Sequence, residues 1–180
     1  MADSLTTERL VLSAPRPEDL PEVIALHGDP EVMRFLEAPQ SPERAEELFR
    51  TWLLPPERGF WTARLRDTGA FVGWFALEPA GADPGVVELG YRLTRASWGR
   101  GYGTEGSVAL VDKVFREHTV HTVTANTMAV NSGSRRVLEK TGLRHVRTFH
   151  LEWADPLPGT EHGEVEYRLT REQWAAARTG

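Results

Sequence analysis

Residues 86–106, VVELGYRLTRASWGRGYGTEG, constrain the fold more than any other part of the chain. An apolar, β-rich segment runs into a loop, and Trp98-Gly99-Arg100-Gly101-Tyr102-Gly103-Thr104 then opens a helix expected over about residues 104–117. Glycines let successive backbone N–H groups converge with no Cβ in the way. The helix behind them adds unpaired amide donors and the positive end of its dipole. Such a turn is a cradle for phosphate or pyrophosphate.

Three phosphate ligands compete for it. A Walker-type loop needs a Lys-Ser/Thr pair directly after its last glycine. Gly103 is followed by Thr104-Glu105 and Gly106 by Ser107-Val108, so that lysine is missing. Gly101-x-Gly103-x-x-Gly106 matches the dinucleotide spacing, but that fingerprint starts at a strand end and wants an acid about 20 residues on. Here a loop parts Leu93 from Gly101, and segment 122–128 carries no acid. The third ligand is acyl-coenzyme A.

With the third ligand comes a resemblance. ELGYRL, WGRGYGTEG, a helix, a strand, and then the run from Asn131 through Ser134, Arg135, Arg136 and Leu138 to Leu143 (NSGSRRVLEKTGL) resemble the GNAT superfamily of N-acetyltransferases. The likeness is greatest to the branch that acetylates ribosomal-protein N-termini (RimJ/RimL-like). The opening LTTERLVLSAPRPEDL and the closing VEYRLTREQW extend it over nearly the whole chain. It implies an α+β fold: a twisted, mostly antiparallel mixed sheet with a splayed central strand pair, flanked by helices. It also implies acetyl-CoA as co-substrate and direct transfer to a primary amine, with a protein or peptide N-terminal α-amine as the expected acceptor. A small amine (antibiotic, polyamine or amino-acid derivative) is the alternative, and a catalytically silent acyl-CoA-binding module is the rival outside enzymes. Trp98 stands where the superfamily usually has Gln or Arg, which leaves the backbone cradle intact but removes the usual side chain.

At 180 residues the chain suits one domain, 1–180, with a sizeable core. No apolar run approaches the ~20 residues of a membrane span, and no basic-apolar signal pattern opens the chain, so no membrane partner and a cytoplasmic location are expected. Zero cysteines exclude disulfides, thiolate metal sites and a cysteine nucleophile. A net charge of −5 argues against nonspecific nucleic-acid binding and tolerates cationic substrates. Six tryptophans supply surface for a homodimer contact, and the branch often dimerises.

Segment 9–14 alternates like a strand, and Pro17-Glu18-Asp19 starts a helix that Gly28-Asp29-Pro30 stops. Ser41-Pro42-Glu43 opens a second helix to about Leu53. Strands are expected at 60–66, 70–77, 86–93, 122–128, 144–153 and 164–169, with a helix at 132–140 closed by Gly142 and a terminal helix after Thr170.

An amine attacks a thioester only as the free base, so the site needs a proton acceptor, a brace for the oxyanion and help for the departing thiolate. Glu88 shares a strand face with Gly90 and Arg92 and is a candidate base through water; a salt-bridged strand acid is the alternative. Glu152 is a second candidate base, with His150 beside it on the acceptor side. Asn131 is either a helix cap or, by the resemblance, a cofactor contact. Ser134 aligns with a serine that the branch uses near the leaving sulfur. Leu138 occupies the place of the superfamily's tyrosine acid. Arg100, Arg135 and Arg136 are candidate phosphate ligands, whereas Glu105 has to turn away from an anion. His118, His121, His145 and His150 have no acid or thiol at metal-ligand spacing, so no metal is expected.

Overall fold

The alternating segments become strands and the 3.6-periodic ones helices. The computed structural model describes residues 4–117 and 119–179. Its strands are β1 (Leu5–Thr6), β2 (Leu10–Ser13), β3 (Phe60–Leu65), β4 (Phe71–Pro79), β5 (Val86–Leu93), β6 (Thr122–Met128), β7 (Arg144–Phe149) and β8 (Glu164–Thr170). The α-helices are α1 (Leu20–Gly28), α2 (Pro30–Met33), α3 (Pro42–Leu48), α4 (Tyr102–Glu117), α5 (Ser132–Thr141) and α6 (Arg171–Thr179).

The strands form one sheet in the order β1-β2-β3-β4-β5-β6-β8-β7. The β1–β2, β2–β3, β3–β4, β6–β8 and β7–β8 pairs are antiparallel, and β5–β6 is parallel. A parallel neighbour in sequence demands a crossover, and α4 supplies it. The parallel register covers Val86–Glu88 and Thr122–Thr124 and stops there, although both strands continue. The sheet is thus mixed and mostly antiparallel, as expected. Among the described residues no helix is long and apolar enough to cross a membrane.

The chain divides into two compact units. The first runs up to Glu78 and adds Gly90–Gly106. Its core gathers Val23, Leu26, Val32, Phe49, Leu53, Phe60, Trp74 and Ala76. Trp52, Phe60 and Trp74 meet edge-on, with ring centroids 4.6 to 5.9 Å apart, the arrangement that aromatic quadrupoles favour. Asp29 caps α2 and Ser41 caps α3, with proline first in each helix. The second unit holds Pro79–Leu89 and everything from Ser107 onward. In it α6 locks to α4 where the Trp174 indole N–H donates to Asp112 at 2.8 Å.

Five elements differ from the sequence reading. The helix after Ser41 keeps α geometry only to Leu48 and widens over Phe49–Leu53, where the Leu54 amide reaches the Phe49 carbonyl. The short β1 and α2 were not expected at all. Helix α4 starts at Tyr102 rather than near Thr104, and within it Gly106 packs so closely on Phe75 that a Cβ there would sit 2.4 Å from the ring. Strand β7 ends at Phe149 and not at Trp153, because Phe149 pairs with Glu164, the first residue of β8, and nothing on β8 lies beyond it.

Candidate active site

In the first unit, β5 delivers the chain to a 3₁₀ turn at Arg95–Ser97, and the cradle follows. The Trp98 indole N–H donates to the Leu93 carbonyl at 3.0 Å, tying the loop back to its strand. Gly99 (φ +71°) and Gly101 (φ +84°) both take the left-handed conformation that a side chain disfavours. The first amide of α4 bonded to the turn is that of Glu105, which donates to the Gly101 carbonyl at 3.0 Å. The preceding amides of Tyr102, Gly103 and Thr104 therefore have no intrahelical acceptor, the condition for anion binding.

Glu105 turns onto the N-terminal hairpin. Its carboxylate accepts from the Thr7 hydroxyl at 2.6 Å, the Arg9 amide at 2.8 Å and Arg9 Nε at 2.7 Å. Partial burial pushes its pKa up, but these bonds and the Arg9 charge outweigh burial and hold the carboxyl below its ordinary value. Arg9 also donates to the Arg100 carbonyl at 2.9 Å and covers the Tyr102 ring at 4.7 Å. One arginine thus fastens the loop, the helix start and the hairpin. The Arg100 side chain itself is exposed.

In the second unit, half-buried Glu88 accepts from Asn126 Nδ2 at 3.2 Å. Among the described residues it is hydrogen-bonded, not salt-bridged, and as a half-buried side chain it retains access to water. Asn131 caps α5: its Oδ1 accepts from the Ser134 amide at 3.2 Å and its Nδ2 donates to Thr127 Oγ1 at 3.2 Å. Ser134 sits half-buried in the first turn of that helix. Arg135 is committed to structure, donating to the Tyr167 hydroxyl at 3.1 Å and the Ala129 carbonyl at 3.0 Å. Arg136 is exposed and Leu138 is buried. Glu152 and His150 fall in the exposed loop after β7, outside any strand.

His121 bonds Asp83 at 3.1 Å, and His145 stacks edge-on against Tyr167. His118 lies outside the described residues. No group of three His, Cys, Asp or Glu side chains able to hold a metal ion occurs among the described residues.

The sequence reading missed two further groups. Glu164 is buried, with Oε1 unpartnered among the described residues, and burial pushes its pKa up. In the first unit, a cleft of about 540 Å³ is lined by residues that include His27, Glu37, Gln40, Trp52 and Arg92. Single polar residues on otherwise ordinary helices and strands gave no signal of either.

A profile described as an acetyltransferase (GNAT) domain matches residues 9–144. The chain belongs to the GNAT acetyltransferase family. It is 35% identical over 185 residues to the FsC-acetyl coenzyme A-N(2)-transacetylase of Aspergillus fumigatus, a match covering 95% of this chain and 77% of that protein. The spermidine N-acetyltransferase of Vibrio cholerae, solved with CoA and spermine, superposes with a TM-score of 0.80 at 15% identity, covering 94% of this chain and 99% of that one. RimL, a ribosomal L7/L12 α-N-protein acetyltransferase solved with CoA, gives 0.75 at 17% identity, covering 93% and 98%. At such identities these two structures show the shared fold alone. The family match makes this protein an acetyl-CoA-dependent acetyltransferase.

Proposed function

We propose that this protein transfers the acetyl group of acetyl-CoA directly to the amine of a small molecule. The observation that carries the choice of acceptor is the 35% identity to the FsC transacetylase, sustained over 95% of the chain. The likeness to N-terminal acetyltransferases led to a protein α-amine from the sequence; the kinship with RimL is at the level of fold.

The chemistry follows from the residues. The amides at the start of α4 receive the pyrophosphate of the cofactor, and the Gly99 and Gly101 conformations aim them. Glu88, through water, takes the proton that the attacking amine sheds. The tetrahedral oxyanion collapses, the C–S bond breaks, and Ser134 meets the departing thiolate. The role of Ser134 rests on the family likeness, and that of Glu88 on its place on β5 and its access to water. A carboxylate–water base is weak, so it suits α-amines with pKa near 8 over lysine ε-amines near 10.4, a difference of about 3 kcal/mol in deprotonation. A homodimer and cytoplasmic residence are further expectations of the same reading.

The test is a thiol-release screen with acetyl-CoA and four acceptor classes: small α-amines, peptides with free N-termini, polyamines and aminoglycosides. Small α-amines are expected to be the best substrates, and Glu88→Gln is expected to slow them by ~10²–10⁴-fold. Activity confined to peptides would reinstate the protein N-terminus as acceptor.

A further inference from the structure

Arg92, near the end of β5, is only 9% exposed. Among the described residues its Nε and Nη1 donors find no hydrogen-bond partner. A buried, unpaired cation is costly, and folded proteins seldom leave its donors unpaired.

The surroundings explain why nothing inside the first unit satisfies it. The Trp74 ring lies 5.3 Å from the guanidinium, which steadies its face but bonds none of its N–H groups. His27 offers no acceptor: its Nε2 receives the Trp74 indole N–H at 3.1 Å, so Nδ1 carries the proton toward Gln40 Oε1 at 3.0 Å. Glu37 contributes only its field, and its carboxylate already accepts from Gln40 Nε2 at 2.8 Å. Burial draws the guanidinium down to about 10, which still leaves it a cation at neutral pH. Its backbone also packs closely on β4, where a Cβ on Gly73 would lie 2.1 Å from the Arg92 carbonyl oxygen.

Arg92 faces the cleft of about 540 Å³, within the range of small-molecule sites. Leu48 and Trp52 give it an apolar wall. Arg44 and Arg58 add positive charge, the former paired to Glu47 at 2.7 Å, and Glu37 is the one acid among the described residues that line the cleft. This lining has the wrong sign for a polyamine or an aminoglycoside and the right one for an organic anion.

We propose that the cleft receives the acceptor molecule and that Arg92 binds a carboxylate on it, which makes the substrate an amino-acid-like amine. This inference rests on the small-amine reading above and narrows it.

Two measurements on the full chain test it. Calorimetry compares N-acetyl-leucine with N-acetyl-leucinamide, product-like probes that differ in the carboxylate and carry no reactive amine. The carboxylate is expected to bind about 10–100-fold more tightly, as a charge-assisted contact does, and Arg92→Gln to erase the preference. Equal binding, or binding of neither, overturns the proposal. The wild-type comparison needs no variant, so misfolding of Arg92→Gln leaves the test intact. Thiol release then compares leucine with leucinamide as acceptors. A preference for leucine that Arg92→Gln removes supports the proposal. Rates that are equal once each is referred to its free-base amine overturn the carboxylate contact and leave the small-amine function standing. No release with either, while a peptide reacts, overturns both.

Discussion

At the scale of single residues, His27 shows what burial does to a titratable group. It is fully buried between the Trp74 indole and Gln40. Burial first, and then the Arg92 charge, lower its pKa from 6.5 to about 4, against a smaller opposing effect of the Gln40 bond. A lowered base pKa means that the unfolded chain binds the extra proton first, between about pH 6.5 and pH 4. Stability is therefore complete near pH 7 and falls with acidification through that window, by about 3 kcal/mol from this group. Urea unfolding at several pH values between 4 and 7 measures the slope. Replacing His27 by Gln, which has no titration there, is expected to flatten it; an unchanged slope would show that His27 titrates normally. Neither this histidine nor Arg92 stood out in the sequence. A histidine near the end of an amphipathic helix looks like any other until Trp74 of β4 and Gln40 of the following loop close on it.

Elements were legible to the extent that their causes are local. The β5–glycine turn–α4 unit was readable because glycine spacing and a helix start are written in consecutive residues. The extent of β7 was misread because the end of a strand is set by its partner: pairing stops at Phe149 where β8 begins at Glu164, some fifteen residues further along. Asn131 illustrates an intermediate case, since its position announced a cap, and the cap bonds to Ser134 and Thr127 became visible only in three dimensions. The cradle yields its own prediction. Gly101 sits at φ +84°, and a side chain there also meets Arg9 Nη2 at 3.2 Å. Gly101→Val is expected to cost about 1–3 kcal/mol of stability through backbone strain and to turn the amides at the start of α4 out of line. Calorimetry should then show acetyl-CoA affinity reduced by about tenfold or more in the folded variant, within the range that such strain supplies. Unchanged affinity would move the pyrophosphate elsewhere.

For the whole molecule, the question is whether the acetyl group ever rests on the protein. There is no cysteine in the chain, so the acetyl group cannot rest on a thiol, and a hydroxyl that carried it would have to be activated. Activation requires a base within hydrogen-bond reach, itself oriented by a third group. Among the described residues one set of side chains has that form: Thr122 Oγ1 lies 2.9 Å from His121 Nδ1, and His121 Nε2 lies 3.1 Å from Asp83. It stands at the surface, however, with the His121 and Asp83 side chains each more than half exposed. Water there competes for every hydrogen bond and denies a tetrahedral oxyanion the preorganised, water-excluded donors that make acyl transfer fast. The amides at the start of α4 are the ones proposed to receive the pyrophosphate of the cofactor. Direct transfer from thioester to amine is therefore expected. Intact-mass analysis after mixing with acetyl-CoA, without acceptor, should show the unmodified protein on the timescale of turnover. An adduct that forms and then disappears when an amine is added would overturn direct transfer, and peptide mapping of it to Thr122 would make the exposed triad the nucleophilic centre.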